Sequence, residues 1–199
     1  TTGRAIAPEK AGGLPEFIYL RVSRNAKRIK SRQRFDLDAI MITLLDYGAG
    51  NVRSVVNAIE SLGQTVRPVS SPEDIVSAEK LVFPGVGAFG NMMEILATKG
   101  YVEPLKAYIR SGRPFFGICL GLQALFEESE EAPGVRGLGI FSGKVRRFDL
   151  DLSVPHIGWN GLRFHKAAEM FDGLSGREKF YFVHSYYVAP EDPSVVLTT

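Results

Sequence analysis

Sulfur and histidine are scarce in this sequence. One cysteine, Cys119, occurs in 199 residues, together with four methionines and three histidines. A single cysteine excludes an internal disulfide and any metal site built from several cysteines, and it favours a reducing compartment. No apolar run approaches the roughly 18 residues that a membrane-spanning helix needs. We therefore expect no metal, no cofactor and no membrane partner.

Charge is unevenly distributed along the chain. The net charge is +2, but residues 1–35 hold nine basic and two acidic side chains, whereas residues 36–199 hold fifteen basic and twenty acidic ones. The mildly acidic main part gives no support for a nucleic-acid partner. An Arg-rich, acid-poor composition is typical of an organelle transit segment, so residues 1–38 predict either that or a disordered basic arm. We expect a plastid location if 1–38 is a transit segment, and a cytoplasmic one otherwise.

Strands and helices alternate four times from residue 39 onwards. Apolar runs typical of buried strands occur at 40–45, 65–69, 80–83 and 114–118, and helical spacing follows at 52–62, 71–74, 92–109 and 120–126. This alternation predicts an α/β fold, a central mostly parallel sheet flanked by helices. Short alternating runs at 137–140, 144–148 and 161–164, and the aromatic run at 179–188, predict antiparallel additions in the C-terminal half. We assign 39–199 to one domain whose C-terminal part is missing, because the chain stops within an apparent strand at 195–199.

The lone cysteine lies between the fourth strand and the helix that follows it. Gly117 and Gly121 flank Cys119 at two residues to either side. The pattern G-x-C-x-G is the thiol version of the nucleophile elbow, in which glycine is needed where a Cβ would clash. A helix that starts at the cysteine directs free N–H groups and a positive dipole end at the sulfur, which predicts a thiolate. A lone buried cysteine is more often inert packing, but the two glycines favour a nucleophile.

A second glycine-rich turn follows the third strand. Gly85, Gly87 and Gly90 match the dinucleotide pattern G-x-G-x-x-G, but the match falls on the third strand and lacks a partner acid. The turn is better suited to present an N–H group to a developing oxyanion, together with the N–H of Leu120.

No residue outside the elbow identifies itself as the base that a cysteine nucleophile needs. The three histidines are His156, His165 and His184, and none has a sequence context that marks it as that base. The run of acidic residues at 127–131 is typical of a solvated helix end.

These motifs resemble those of a known family. The string at 117–123, with Pro-Gly-Val-Gly at 84–87, resembles class I (triad) glutamine amidotransferases. Four strings, at 46–51, 84–89, 155–160 and 181–186, resemble one branch, the glutaminase part of imidazole glycerol phosphate synthase. The likeness runs from about residue 40 to 199.

The resemblance implies a reaction and a partner. Cys119 would attack the side-chain amide of glutamine. A glutamyl thioester would form on the cysteine as ammonia is released. The ammonia would pass to a cyclase, a (β/α)8 barrel present as a separate subunit or a fused domain, for imidazole glycerol phosphate synthesis in histidine biosynthesis.

The resemblance also implies a role for particular residues. The N–H groups of Val86 and Leu120 would hold the oxyanion. The positions that match glutamine-binding residues are Gly87, Gln123, Glu131, His184, Ser185 and Tyr186. The positions that match the cyclase interface are Asn51, Pro155, His156, Gly158, Trp159 and Asn160.

The sequence departs from the family at one point. The His-Pro-Glu string that supplies the base and its orienting acid is absent from residues 1–199. We therefore expect this stretch alone to be inactive, because loss of a triad base lowers the rate by orders of magnitude. Two alternatives stay open: an amidotransferase of another biosynthetic pathway, and a catalytically incomplete scaffold that only binds its synthase partner.

Overall fold

A four-stranded parallel sheet forms the centre of the N-terminal half. The computed structural model describes residues 41–49, 51–149 and 153–199, so the predictions for residues 1–40 lie outside the described residues. The strands pair side by side in the order β2-β1-β3-β4, and every pair is parallel. The predicted α/β class with a central parallel sheet is thus confirmed. The strands are β1 (Met41–Leu44), β2 (Thr65–Pro68), β3 (Leu81–Gly85) and β4 (Phe115–Cys119).

Within the described residues, five helices connect or follow these strands: α1 (Val52–Ser61), α2 (Pro72–Ser77), α3 (Phe89–Thr98), α4 (Val102–Arg110) and α5 (Leu120–Gln123). Helix α2 begins with a capping box in which Ser71 and Asp74 each accept an N–H that the first turn would otherwise leave unpaired. Gly63 has a φ of 76°, a left-handed conformation that ends α1 as its position predicted.

Two predicted helices differ from those observed. The segment 92–109 is two helices, because the chain turns at Gly100, where φ is 70°. Pro104 does not break α4, since it lies in the first turn, where no intrahelical N–H bond is lost. Helix α5 ends at Gln123 and does not continue through residue 126, because the Ala124 carbonyl accepts the N–H of Leu138 instead of an intrahelical one.

The described part of the C-terminal half contains five short strands: β5 (Glu128–Ser129), β6 (Gly143–Arg147), β7 (His156–Asn160), β8 (Phe180–His184) and β9 (Tyr186–Pro190). They form a sheet in the order β5-β6-β9 and an antiparallel pair of β7 with β8. The predicted antiparallel additions are therefore confirmed.

The details of this half differ from the prediction. The aromatic run at 179–188 is two strands, because the chain turns at Ser185 and β9 pairs with β6 instead of β7. The segments 137–140, 161–164 and 195–199 are not regular strands. Residues 164 and 198 form only an isolated bridge, and a 3-10 turn occupies Pro193–Val195.

The main core lies where β3 meets α3 and α4. Leu81 and Phe83 of β3 are buried, and they belong to one apolar cluster with Phe89, Leu96 and Tyr108. Burying such side chains contributes about 1.5–3 kcal/mol each, so this cluster fixes the position of the carboxyl end of β3. Among the described residues, no helix is long and apolar enough to cross a membrane.

Candidate active site

Cys119 stands in an unusual backbone conformation at the end of β4. Its φ is 54° and its ψ is −114°, and it is the one non-glycine residue with positive φ in the described part of the chain. A side chain in this region is strained by about 1–3 kcal/mol, and such strain is concentrated at functional sites. The strand-turn-helix arrangement with a strained apex is the geometry that the flanking glycines predicted.

Three glycines allow α5 to lie directly on the neighbouring strands β3 and β4. A Cβ on Gly121 would stand 1.9 Å from the Phe83 carbonyl oxygen. A Cβ on Gly117 would stand 2.8 Å from the Gly121 carbonyl oxygen, and one on Gly85 would stand 2.7 Å from the Gly121 nitrogen. The turn is therefore held by main-chain contact with β3 and β4, which fixes the position of the cysteine between them.

The Cys119 side chain reaches solvent at the edge of a cavity of about 350 Å³. Burial of the sulfur among the surrounding atoms raises the pKa of the Cys119 thiol, and the negative charge of Glu131 raises it further. The Leu120 N–H donates to the sulfur and lowers the pKa, but the raising effects are larger. The net direction is opposite to the expected thiolate, because burial and Glu131 outweigh the hydrogen bond from the Leu120 N–H.

Both predicted oxyanion donors have partners in the structure. The N–H of Leu120, the first residue of α5, is directed at the sulfur of Cys119. The N–H of Val86 donates to the Tyr47 hydroxyl oxygen at 3.1 Å, and that hydroxyl donates back to the Val86 carbonyl at 2.8 Å. Sequence patterns predicted no role for Tyr47. The residue lies at the same edge of the parallel sheet as the turn at 84–87.

The structure brings part of the predicted glutamine-binding set together around the cavity. Gln123, His184 and Tyr186 line it together with Cys119. The side-chain oxygen of Gln123 is buried and has no hydrogen-bond partner among the described residues. An unpaired buried acceptor costs about 1–3 kcal/mol, so this oxygen suits a ligand that donates an N–H.

The other three residues of that set lie outside the lining of the cavity. The Glu131 carboxylate accepts the N–H of Phe89 at the start of α3, at 2.9 Å, and its charge acts on Cys119. Gly87 has a φ of 103°, a conformation that glycine adopts readily. Ser185 turns the chain from β8 to β9, and its carbonyl accepts the N–H of Phe148.

A chain of hydrogen bonds runs from β7 to the cavity through two histidines. His184 Nδ1 donates to the Tyr186 carbonyl at 2.8 Å, so its Nε2 accepts from His156 Nδ1 at 3.4 Å. His156 Nε2 in turn accepts from the Asn160 amide at 3.0 Å. Burial, with a contribution from His156, lowers the pKa of His184 and keeps its ring neutral. Because both ring nitrogens of His184 are bonded, its placement does not suit it to act as the base for Cys119.

The predicted partner residues on β7 face in two directions. Trp159 is 66% exposed, as are its neighbours on the same face, Ile157 (58%) and Val183 (54%). His156 and Asn160 point to the opposite face, where His156 stacks on Phe182. The remaining predicted residues are Asn51, which is exposed and precedes α1, Pro155, which is exposed before β7, and Gly158, which is half-buried within it.

The acidic run at 127–131 is not a solvated helix end. Glu127 accepts the N–H of Gly143, and Glu130 accepts the N–H of Arg147. Glu128 forms an ion pair with Lys144 across the β5–β6 ladder. Each of these carboxylates bonds to a residue of β6. These contacts fix the position of the segment and so place Glu131 beside α3.

Comparison with known proteins agrees with this geometry. Residues 43–199 match the family described as glutamine amidotransferase class-I. The chain belongs to this family. The resemblance to class I amidotransferases that the motifs predicted is thus confirmed.

Two relatives show the likeness in more detail. The chain is 50% identical over 166 residues to imidazole glycerol phosphate synthase subunit HisH of Syntrophotalea carbinolica, covering 80% of this chain and 81% of the relative. It is 52% identical over 154 residues to imidazole glycerol phosphate synthase hisHF, chloroplastic, of Arabidopsis thaliana, covering 76% of this chain. The matched part spans 26% of that longer relative.

A solved structure shows the same fold at lower identity. A glutamine amidotransferase crystal structure has a TM-score of 0.56 with 21% identity, and the match covers 72% of this chain and 70% of that one. This likeness supports the architecture of the sheet and its helices.

Proposed function

We propose that this amidotransferase domain hydrolyses glutamine through Cys119 and delivers the ammonia to a cyclase that forms imidazole glycerol phosphate. The thiol adds to the side-chain amide carbon, its proton passes by way of a base to the leaving nitrogen, and the C–N bond then breaks, which releases ammonia and leaves a γ-glutamyl thioester on Cys119. Water then cleaves the thioester, releasing glutamate and restoring the thiol. The relatives named imidazole glycerol phosphate synthase support the choice of this pathway.

One observation carries the glutaminase part of this proposal. Cys119 occupies a strained elbow beside a cavity into which Gln123 presents a buried, unpaired oxygen. Free glutamine carries N–H donors at both ends, in its ammonium group and its side-chain amide, and either could pair with this oxygen. An inert packing cysteine needs neither the strain nor the unpaired acceptor.

The exposed face of the β7–β8 ladder supports a protein partner. Trp159 pairs with Tyr181, and Ile157 pairs with Val183, on neighbouring positions of the two strands. All four side chains are more than half exposed, so they form an apolar patch of the kind that marks an interface. The cyclase is the partner that we propose, because relatives carry names of the synthase in which the two activities occur together.

The glutaminase reaction is tested directly on Cys119. The product of the complete gene is mixed with glutamine, quenched in acid and examined by intact-mass spectrometry for a γ-glutamyl adduct. We expect the adduct on the wild type and none on Cys119→Ser, since no other thiol exists in residues 1–199. Glutamate release without any dependence on Cys119 would contradict the proposal.

The pathway and the partner need a second test. The same protein is supplied with glutamine and with the cyclase substrate of histidine biosynthesis, and imidazole glycerol phosphate is measured. Trp159→Ala should weaken binding to a separate cyclase subunit about thirtyfold or more, as truncation of a central aromatic anchor does. Its matched control is Phe164→Ala, a partly exposed aromatic outside the patch. Transfer of ammonia to a different acceptor would refute the pathway and leave the glutaminase intact.

We also propose that the protein acts in the plastid. This location is supported by the basic composition of residues 1–38 and by the Arabidopsis relative that is named chloroplastic. Residues 1–38 fused to a fluorescent protein should direct it into plastids, whereas a diffuse cytoplasmic signal would favour the alternative.

A further inference from the structure

Tyr47 connects the turn after β1 to the turn after β3 through one buried hydroxyl. The residue is 2% exposed, and its ring meets the edge of Phe83 at 6.0 Å between centroids and 89° between planes. Its hydroxyl accepts the Val86 N–H and donates to the Val86 carbonyl. Both polar main-chain groups of Val86 are therefore bound to a single side-chain atom.

This arrangement conflicts with the proposed role of the Val86 N–H. An N–H group has one hydrogen, and its hydrogen bond to Tyr47 is lost or shared when an oxyanion takes that hydrogen. The Val86 side chain is 47% exposed, and the Tyr47 hydroxyl is the partner of both of its main-chain groups. The hydroxyl of Tyr47 and the oxyanion are thus competitors for the same donor.

We infer that Tyr47 is a positioning residue that keeps the Val86 N–H occupied in the resting site, so that the oxyanion of the proposed glutaminase reaction must displace it. The inference rests on the proposed function, since it concerns the donor that reaction uses. Displacement weakens transition-state stabilisation by the strength of one neutral hydrogen bond. Removal of the hydroxyl frees the donor before substrate arrives.

The ionisation state of Tyr47 is consistent with this role. Burial raises the pKa of the Tyr47 phenol, the hydrogen bond that its oxygen accepts from the Val86 N–H lowers it, and the charges of Cys119 and Asp46 raise it again. The net shift is upward, so the phenol stays protonated at neutral pH. Only the protonated form can donate to the carbonyl while it accepts from the N–H.

The test compares two tyrosine-to-phenylalanine variants of the complete gene product. Tyr47→Phe removes the hydroxyl from Val86. Tyr108→Phe is the matched control, because Tyr108 is also fully buried and its hydroxyl also donates to a main-chain carbonyl, that of Pro114 at 2.7 Å. Three quantities are measured: the hydrogen-exchange rate of the Val86 amide by NMR, kcat and KM for glutamine hydrolysis, and the urea midpoint.

We expect Tyr47→Phe to speed Val86 amide exchange and to raise kcat, each by about twofold to tenfold, with KM unchanged. Tyr108→Phe should lower the urea midpoint and leave both rates as in the wild type. A merely structural role for Tyr47 predicts the control's behaviour instead: lower stability with kcat unchanged or reduced. That result, or unchanged exchange of the Val86 amide, would overturn the inference.

The same experiment separates this inference from the proposed function. If neither the wild type nor the variants hydrolyse glutamine, the proposed function fails and the inference fails with it. If the wild type hydrolyses glutamine and Tyr47→Phe is no faster, only the inference is overturned.

Discussion

The contact between Gly121 and β3 gives a sharp prediction for a one-methyl change. In Gly121→Ala the new Cβ would stand 1.9 Å from the Phe83 carbonyl oxygen, whereas an ordinary contact between these atoms is about 3.3 Å. The two backbones must therefore separate by about 1.4 Å. Phe83 is fully buried among the side chains of α3 and α4, so β3 cannot move aside, and the elbow has to move instead.

Two effects follow from that displacement. Overpacking of this kind costs about 1–3 kcal/mol of unfolding free energy, or more where both contacts are main chain. Because Cys119 lies two residues from Gly121, a shift of about 1 Å would also misplace the sulfur and lower glutamine turnover about 100-fold. Urea denaturation measures the first effect, and glutamate release by the complete gene product measures the second.

A graded series of glycine substitutions makes the reasoning refutable even if Gly121→Ala does not fold. A Cβ on Gly117 meets its nearest atom at 2.8 Å, so Gly117→Ala should be less harmful than Gly121→Ala. A Cβ on Gly161 would meet only the flexible Lys179 ammonium at 3.5 Å, so Gly161→Ala should stay within about 0.5 kcal/mol of the wild type. Equal effects at all three positions would show that the elbow is not held by main-chain contact.

Three further predictions concern single side chains. Gln123→Leu should raise the unfolding free energy by about 1 kcal/mol, since it removes an unpaired buried oxygen, and should weaken glutamine binding measured by calorimetry. In the wild type, the negative charge of Glu131 raises the pKa of the Cys119 thiol. Glu131→Gln removes that charge, so it should lower the thiol pKa and shift the pH profile of Cys119 labelling by iodoacetamide to lower pH. An unchanged profile would contradict this. Arg113→Met should lower the unfolding free energy by about 1.5–3 kcal/mol, since the Arg113 guanidinium donates to two main-chain carbonyls. Arg110 has no such bonds among the described contacts, so Arg110→Met should change the unfolding free energy little.

The raised thiol pKa also fixes the sign of one pH effect on stability. The folded state holds the Cys119 proton more tightly than the unfolded state does. The resulting stability is fully present below the unfolded thiol pKa of about 8.5 and is lost as pH rises through the folded-state value. Cys119→Ser, which has no thiol to titrate, should therefore lose less stability than the wild type as pH rises above about 8.5, as urea titrations at several pH values would measure.

The sheet and the elbow could be predicted because their causes are local in sequence. Apolar runs separated by helical spacing imply parallel strands joined by crossover helices, and the four predicted strands are the four that pair. Gly117 and Gly121 indicated a tight strand-to-helix turn from spacing alone. In both cases the residue types that cause the structure lie within a few positions of it.

The residues that the sequence did not explain depend on distant partners. Tyr47 and Val86 are 39 residues apart, and their contact exists because parallel strands end at one edge of the sheet. The acidic run at 127–131 lacks any local sign that β6 supplies its N–H donors and its lysine. Helix α5 is short because the segment at 138–140 takes the main-chain groups that would have extended it.

The contacts around Cys119 keep its thiol protonated and keep both proposed oxyanion donors in hydrogen bonds. The thiol is kept protonated by burial and Glu131, the Leu120 N–H is bonded to the sulfur, and the Val86 N–H is bonded to Tyr47. In the proposed glutaminase reaction, each of these contacts must change before a thiolate can attack a carbonyl and an oxyanion can be held. Glutamine itself can supply part of the free energy, since its ammonium group would oppose the charge of Glu131 and its N–H donors would satisfy Gln123. A cysteine that is neutral without substrate and ionised with it would be protected from adventitious alkylation, so iodoacetamide labelling at neutral pH should be slow.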